Sequence, residues 1–156
     1  MKFKIVAVGK IKETYLRDAI AEYVKRISRF ATVEIVEVDE CKSSGAPNEK
    51  EIERVIKQEG EWILSKLEGY VVAMDIDGTL VDSVQLSKHL QEQKQTNSTF
   101  TFVIGGSNGL SDQVKQKANF RCSFGKITLP HQLFRVVLVE QLYRSCCIEN
   151  HVAYHK

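Results

Sequence analysis

The stretch Phe100-Thr-Phe-Val-Ile-Gly-Gly-Ser-Asn-Gly-Leu110 decides how this chain is read. Four apolar residues and one threonine, with apolar side chains on both alternating faces, run directly into three glycines and two small polar residues. Such a segment predicts a strand covered on both sides, as in a parallel sheet between helices. Gly105 and Gly106 lack a Cβ, so another backbone or a flat ligand can approach them closely. In open α/β sheets the space beyond a strand's carboxyl end is where ligands bind. The spacing is not that of a dinucleotide fingerprint, and no Gly-Lys-Ser/Thr follows to make a phosphate loop. On this stretch alone, a ligand site and a tight strand-to-helix turn both remain open.

Outward from that strand, strand and helix patterns alternate along all 156 residues. Phe3–Val8, Val33–Val38, Tyr70–Ile76 and Phe100–Ile104 read as strands, and Phe120–Ile127 holds a weaker one. Between them, Leu16, Ile20, Tyr23, Val24 and Ile27 recur at helical spacing, as do Ile52, Ile56, Ile63 and Leu67. Asn48 with Glu51 three residues on predicts a capped helix start, and Ser83 and Ser111 are further candidate caps. Pro130 suits the opening of a last helix, where His131 can serve as a cap. The expected fold is therefore a single α/β domain over residues 1–156 with a mostly parallel sheet.

The last helix is apolar nearly all round, through Leu133, Phe134, Val136, Val137, Leu138, Val139, Leu142 and Tyr143. One face can lie on the chain's own sheet. The other predicts contact with a second subunit, giving a homodimer.

With 43% hydrophobic and 27% charged residues, the composition is that of an ordinary globular protein rather than a disordered one. No apolar run approaches membrane-spanning length, and the charged N-terminus reads as a first strand rather than a secretory signal. Cys41, Cys122, Cys146 and Cys147 show no CxxC spacing, which suits reduced thiols and a cytoplasmic location. The net charge of +2 is unevenly spread. Residues 1–30 carry eight Lys/Arg against three Asp/Glu, and residues 111–156 carry seven against three. The middle is acidic. This pattern fits either a positive face for an anionic polymer or solvated helix surfaces.

Met74-Asp-Ile-Asp-Gly-Thr-Leu-Val-Asp-Ser83 resembles the first motif of haloacid-dehalogenase-type phosphatases. That resemblance would make Asp75 the nucleophile and Asp77 the proton-handling acid beside Mg²⁺. Such a site needs further carboxylates downstream, and beyond Asp82 only Glu92, Asp112, Glu140 and Glu149 remain. The simpler expectation is a third strand ending in an Asp-Gly turn, with no metal site.

Four separated segments carry a resemblance that covers the whole chain in order. They are Val6-Ala-Val-Gly-Lys-Ile-Lys-Glu-Thr-Tyr15, Phe102-Val-Ile-Gly-Gly-Ser-Asn-Gly109, Leu129-Pro-His-Gln-Leu-Phe-Arg-Val-Val-Leu-Val-Glu-Gln-Leu-Tyr-Arg144 and Ala153-Tyr-His-Lys156. Together they resemble the ribosomal RNA large-subunit methyltransferase H family, of the SPOUT class. The resemblance implies a trefoil knot in the C-terminal half, a cytoplasmic homodimer, and S-adenosylmethionine as cofactor. It implies methylation of N3 of a pseudouridine in large-subunit ribosomal RNA, free or within the ribosome.

The implied cofactor contacts are Met74, Gly105, Phe124, Gly125, Lys126, Ile127, Thr128 and Leu129. Backbone groups there could read an adenine edge while Ile127 and Leu129 give apolar contact. The candidate catalytic residues are Tyr154, His155 and Arg135. His155 can take a proton near neutral pH, Tyr154 can stack on or hold the base, and Arg135 can bind phosphate or an oxyanion. The tail is expected to act in catalysis rather than in folding. Lys10, Lys12 and Arg17 are candidate RNA phosphate contacts. Thr79, Leu129 and Ser145-Cys147 depart from the family's usual pattern.

Overall fold

The computed structural model describes residues 1–156. In chain order the elements are β1 (Lys2–Val8), α1 (Thr14–Ile27), β2 (Thr32–Val38), α2 (Glu49–Leu64), β3 (Tyr70–Leu80), α3 (Ser83–Lys94), β4 (Thr99–Ile104), α4 (Asp112–Lys117), β5 (Phe120–Ser123) and α5 (His131–Glu149). The sheet order is β2-β1-β4-β3-β5, and every pairing is parallel.

Alternation along the central strands makes two cores. Phe3, Ile5, Ala7, Phe100, Phe102 and Ile104 point to one face, where they meet Ile20 and Ile27 of α1, Leu86 and Leu90 of α3, and Leu138, Val139 and Leu142 of α5. Val6, Val8 and Val103 point to the other, against Ile63 of α2 and Val114 of α4. The expected doubly covered β4 is therefore present, with Phe100, Phe102 and Val103 fully buried. Thr101, the polar residue in that strand, is buried too and donates its hydroxyl to the Glu68 carbonyl. No helix is long and apolar enough to cross a membrane.

Several local expectations change. β3 does not end in an Asp-Gly turn. Its register against β5 shifts, Met74 and Thr79 both lying opposite Cys122, and the strand then resumes to Leu80. A side chain at Gly78 would enter the Arg121 backbone at 2.7 Å, so the bulge depends on that glycine. β5 stops at Ser123, because residues 124–130 leave the sheet. Asp82, not Ser83, caps α3. It accepts from Gln85 N, and Gln85 returns the bond in a reciprocal capping box. Asn48 caps α2 as expected, but the Glu51 side chain accepts from Ser44 instead of closing a box.

The last helix differs in detail from an all-round interface. Leu138, Val139, Leu142, Cys146 and Cys147 are buried within the chain itself, between α1, α3 and the sheet. The outward apolar residue is Leu133, 39% exposed, with Leu129 just before the helix at 37%. On α5 the most exposed apolar side chain thus lies in the amino-terminal half. Ser145-Cys147 also faces inward, Ser87 Oγ donating to the Ser145 carbonyl. These three residues therefore pack inside the chain rather than facing solvent.

Candidate functional site

The carboxyl ends of β4, β3 and β5 frame an open cleft of about 1020 Å³. Met74, Gly105, Phe124, Gly125, Lys126, Ile127, Thr128 and Leu129 all line it, so the residues expected to hold a cofactor are brought together. Three chain segments far apart in sequence converge there, as the switch-point rule for open parallel sheets anticipates.

Each segment is shaped by its own sequence. In the glycine loop, Gly109 N donates to the Gly106 carbonyl at 3.1 Å, closing a tight turn with Gly109 at φ +84°. A Cβ on Gly105 would sit 2.9 Å from the Gly109 carbonyl, so this glycine is needed to fold the loop before it can serve any ligand. A Cβ on Gly106 would lie 3.1 Å from both Glu59 Oε1 and Val8 Cγ1. After β5, Ser123 Oγ accepts from Gly125 N and donates to the Ile76 carbonyl, tying the third segment to the β3 bulge. Gly125 has φ +129°, a conformation closed to residues with side chains. The Phe124 and Phe134 rings stand 5.5 Å apart and seat the segment on α5. Ile127, 83% exposed, and Leu129 give the cleft an apolar lip.

Asp75 and Asp77 do not form a metal site. Asp75 is buried and pairs with Arg121 at 3.2 Å, while its other oxygen accepts from Asp77 N. Asp77 points elsewhere, to Lys126 at 3.2 Å. Each carboxylate thus has its own cation, and no group of three potential ligands stands beside them. The phosphatase resemblance is a local coincidence of sequence.

His131 does not cap α5. Pro130 occupies the cap position, and His131 Nε2 is buried without a protein hydrogen-bond partner at the edge of the cleft. Arg135 is also placed otherwise than a substrate contact would be. It is 3% exposed, bonds Glu37 Oε2 at 2.7 Å, and donates to the Gly9 carbonyl at 3.1 Å. In one chain it clamps the end of β1 and β2 onto α5 and lies outside the cleft lining.

Tyr154 and His155 are together, but not at this chain's own cleft. His151, at φ +56°, reverses the chain after α5, and Val152 N donates to the Cys147 carbonyl as in a helix-ending motif. The tail then folds back along the helix. Tyr154 OH donates to Glu140 Oε1, its ring meets Tyr143 edge-on, and the Arg144 guanidinium covers it. Arg144 Nη1 lies 3.2 Å from His155 Nδ1. Burial first, and the bond to Glu140 next, push the Tyr154 phenol well above its usual range. It is a hydrogen-bond donor, not a base. Glu140 and Arg144 were missed in the sequence, although their i, i+4 spacing is the signal of a helix-surface pair. Lys10, Lys12 and Arg17 are exposed.

The family described as "Predicted SPOUT methyltransferase" matches residues 1–155. Proteins named "Ribosomal RNA large subunit methyltransferase H" from Streptococcus pneumoniae strains CGSP14 and JJA are 49% identical over 159 residues, covering all of both chains. Among solved structures, a protein of Haemophilus influenzae Rd KW20 described as of the methylase family superposes with TM-score 0.55 at 12% identity, over 99% of this chain and 70% of that one. A Legionella pneumophila protein described as a methyltransferase, solved with bound cofactor SAM, gives TM-score 0.50 at 7% identity, over 91% of this chain and 65% of that one. At those identities the structural likeness concerns the fold.

Proposed function

The chain belongs to the SPOUT methyltransferase family, and from that premise we propose that it methylates large-subunit ribosomal RNA, at N3 of a pseudouridine, with S-adenosylmethionine as donor. The observation that carries the reading is the convergence of three backbone-rich loops, around Met74, Gly105 and Phe124–Leu129, on one cleft. The fit to the cofactor rests on the cleft's chemistry. Exposed peptide groups can read a purine edge, and Ile127 and Leu129 can cover an apolar face. The bound cofactor would supply an electrophilic methyl group.

The chain's own task is alignment of the acceptor nitrogen and removal of its proton, and positioning alone can supply much of such a rate. Tyr154, kept protonated, can give up its bond to Glu140 and donate to a base carbonyl instead, or stack on the ring, and His155 beside it can accept the N3 proton. Both lie outside the cleft of their own chain, so the reading requires a homodimer in which each tail completes the partner's cleft. Exposed Leu129 and Leu133 beside the cleft support such an apposition. Arg135 serves as an anchor for Gly9 rather than as an oxyanion contact. Lys10, Lys12 and Arg17 carry phosphate contacts, and the protein works in the cytoplasm on RNA within the ribosome.

The trefoil path belongs to the same proposal. It is supported by residues 123–126 bonding to Ile76 before α5 crosses back to α1. An experimental trace with residues 124–149 passing outside the β3–β5 connection would remove it.

The functional test is incubation of purified protein and S-adenosylmethionine with ribosomal particles and with free ribosomal RNA, followed by nucleoside mass analysis. An added methyl on pseudouridine is expected. Methyl on another nucleoside, or none, would overturn the reading.

A further inference from the structure

Glu59 and Gly60, on the inner side of α2, press on both ends of the glycine loop. A Cβ on Gly60 would collide with Ser111 Oγ, the side chain that caps α4 immediately after the loop. Glu59 is 3% exposed. Its Oε2 accepts from Cys41 N at 2.9 Å, while its Oε1 has no hydrogen-bond partner and stands 3.1 Å from where a Gly106 Cβ would be. Cys41 belongs to the segment after β2, which walls a second cleft of about 450 Å³ over the ends of β1 and β2. One carboxyl group thus sits between two loops that leave neighbouring parts of the sheet.

An unpaired carboxyl oxygen in such a place is costly unless something else depends on it. Glu59 lines neither cleft, so it meets no ligand directly. A smaller residue would let the segment at Cys41 and the loop at Gly106 sag toward each other. A larger one would lift Gly106 into the cleft. Burial, with Glu40 adding a like charge, raises the carboxyl pKa and favours the neutral acid, which an amide can imitate.

We infer that Glu59 is a positioning residue for the cofactor loop: its carboxyl group, held between the Cys41 amide and Gly106, fixes the height of the Gly105–Gly109 turn in the cleft wall. The inference rests on the reading of that cleft as the S-adenosylmethionine site.

The test is titration calorimetry of S-adenosylmethionine against the full-length protein, with steady-state methyl transfer to ribosomal particles. Glu59→Ala should weaken cofactor affinity and raise its KM about tenfold, because the Cys41 amide loses its partner and the loop its backing. At saturating cofactor, kcat should stay within about twofold, since nothing at the acceptor side changes. Glu59→Gln should restore affinity to within about threefold, as it keeps shape and acceptor. Val55→Ala opens a cavity one turn earlier in the same helix, at a buried residue that lines neither cleft, and should lower the melting temperature without moving KM. If Glu59→Ala fails to fold, Glu59→Leu restores bulk behind the loop while still leaving the Cys41 amide unpaired, and should show a smaller KM rise in the same direction. Wild-type affinity in a folded Glu59→Ala or Glu59→Leu protein overturns the inference. So does an equal loss in Val55→Ala. Wild-type protein that binds no S-adenosylmethionine removes the cofactor reading itself, and the inference with it.

Discussion

Tyr154 OH donates to Glu140 Oε1 at 3.0 Å, fourteen residues back along the chain. That bond makes the carboxyl terminus a built structure rather than a loose end. Glu140 holds Arg144 as well, and Arg144 covers the Tyr154 ring at 4.7 Å from its centroid and reaches His155. A single carboxylate on α5 therefore sets the position of both tail residues assigned to chemistry.

Removing Ala153–Lys156 separates the tail's two roles. The docked Tyr154 implies a stability loss of about 1 kcal/mol, and so a fall of about 2–4 °C in melting temperature. Methyl transfer should fall at least ~100-fold, the scale of a lost proton acceptor. Cofactor affinity should remain. Glu140→Ala should reproduce most of the activity loss with the tail present, because Tyr154 and Arg144 lose their shared partner. A truncated protein that works at full rate would take the tail out of the mechanism.

The two ends of α5 should answer differently to a buried charge. Leu133 is exposed in one chain, whereas Val139 is wholly enclosed by the chain's own core. Leu133→Glu should leave a folded monomer where the wild type sediments as a dimer. Val139→Glu should unfold the protein, since an unpaired buried charge costs several kcal/mol. Leu133→Glu remaining dimeric at micromolar concentration would move the interface off this part of α5.

The fold was legible because its signals are local and repeated. Apolar strands such as Phe100–Ile104 and helical periodicities such as Ile20, Tyr23 and Ile27 do not depend on distant partners. The cleft residues followed from glycines at strand ends and from the family resemblance. What escaped the sequence was long-range. Nothing near Arg135 announces that it bonds Glu37 and the Gly9 carbonyl across the fold. Nothing near Glu59 announces a neighbour at Gly106. The β3 bulge was hidden because Asp-Gly reads as a turn, and only the backbone of β5 at Arg121 explains why Gly78 is needed there.

Chelation should not affect methyl transfer. Asp75 is neutralised by Arg121 and Asp77 by Lys126, so neither is free to collect a divalent ion. Activity on ribosomal particles that keep their own magnesium should be equal for protein passed through a chelating resin and untreated protein. No phosphate should be released from a generic phosphate ester. A magnesium-dependent release abolished by Asp75→Asn would revive the phosphatase resemblance.

The buried cysteines should add to the loss of stability at alkaline pH. Cys122 and Cys146 are buried, and burial pushes each thiol from about 9 up to about 12, with Glu149 adding to the effect at Cys146. For such a group the folded state binds the proton more tightly than the unfolded chain. Its contribution is complete below the unfolded value near 9 and is lost as pH rises from there toward 12. Denaturant midpoints should therefore fall between pH 9 and the highest pH at which unfolding stays reversible, beyond any fall from lysine titration. Cys122→Ala should start lower at pH 7, by the cost of a small cavity, and decline less steeply above pH 9. At neutral pH a bulky thiol reagent should modify Cys41 alone, the only cysteine with appreciable exposure, and mass analysis should show one adduct. Equal slopes for wild type and Cys122→Ala, or a second rapid adduct in the native protein, would show that these thiols are open to solvent on the timescale of the experiment.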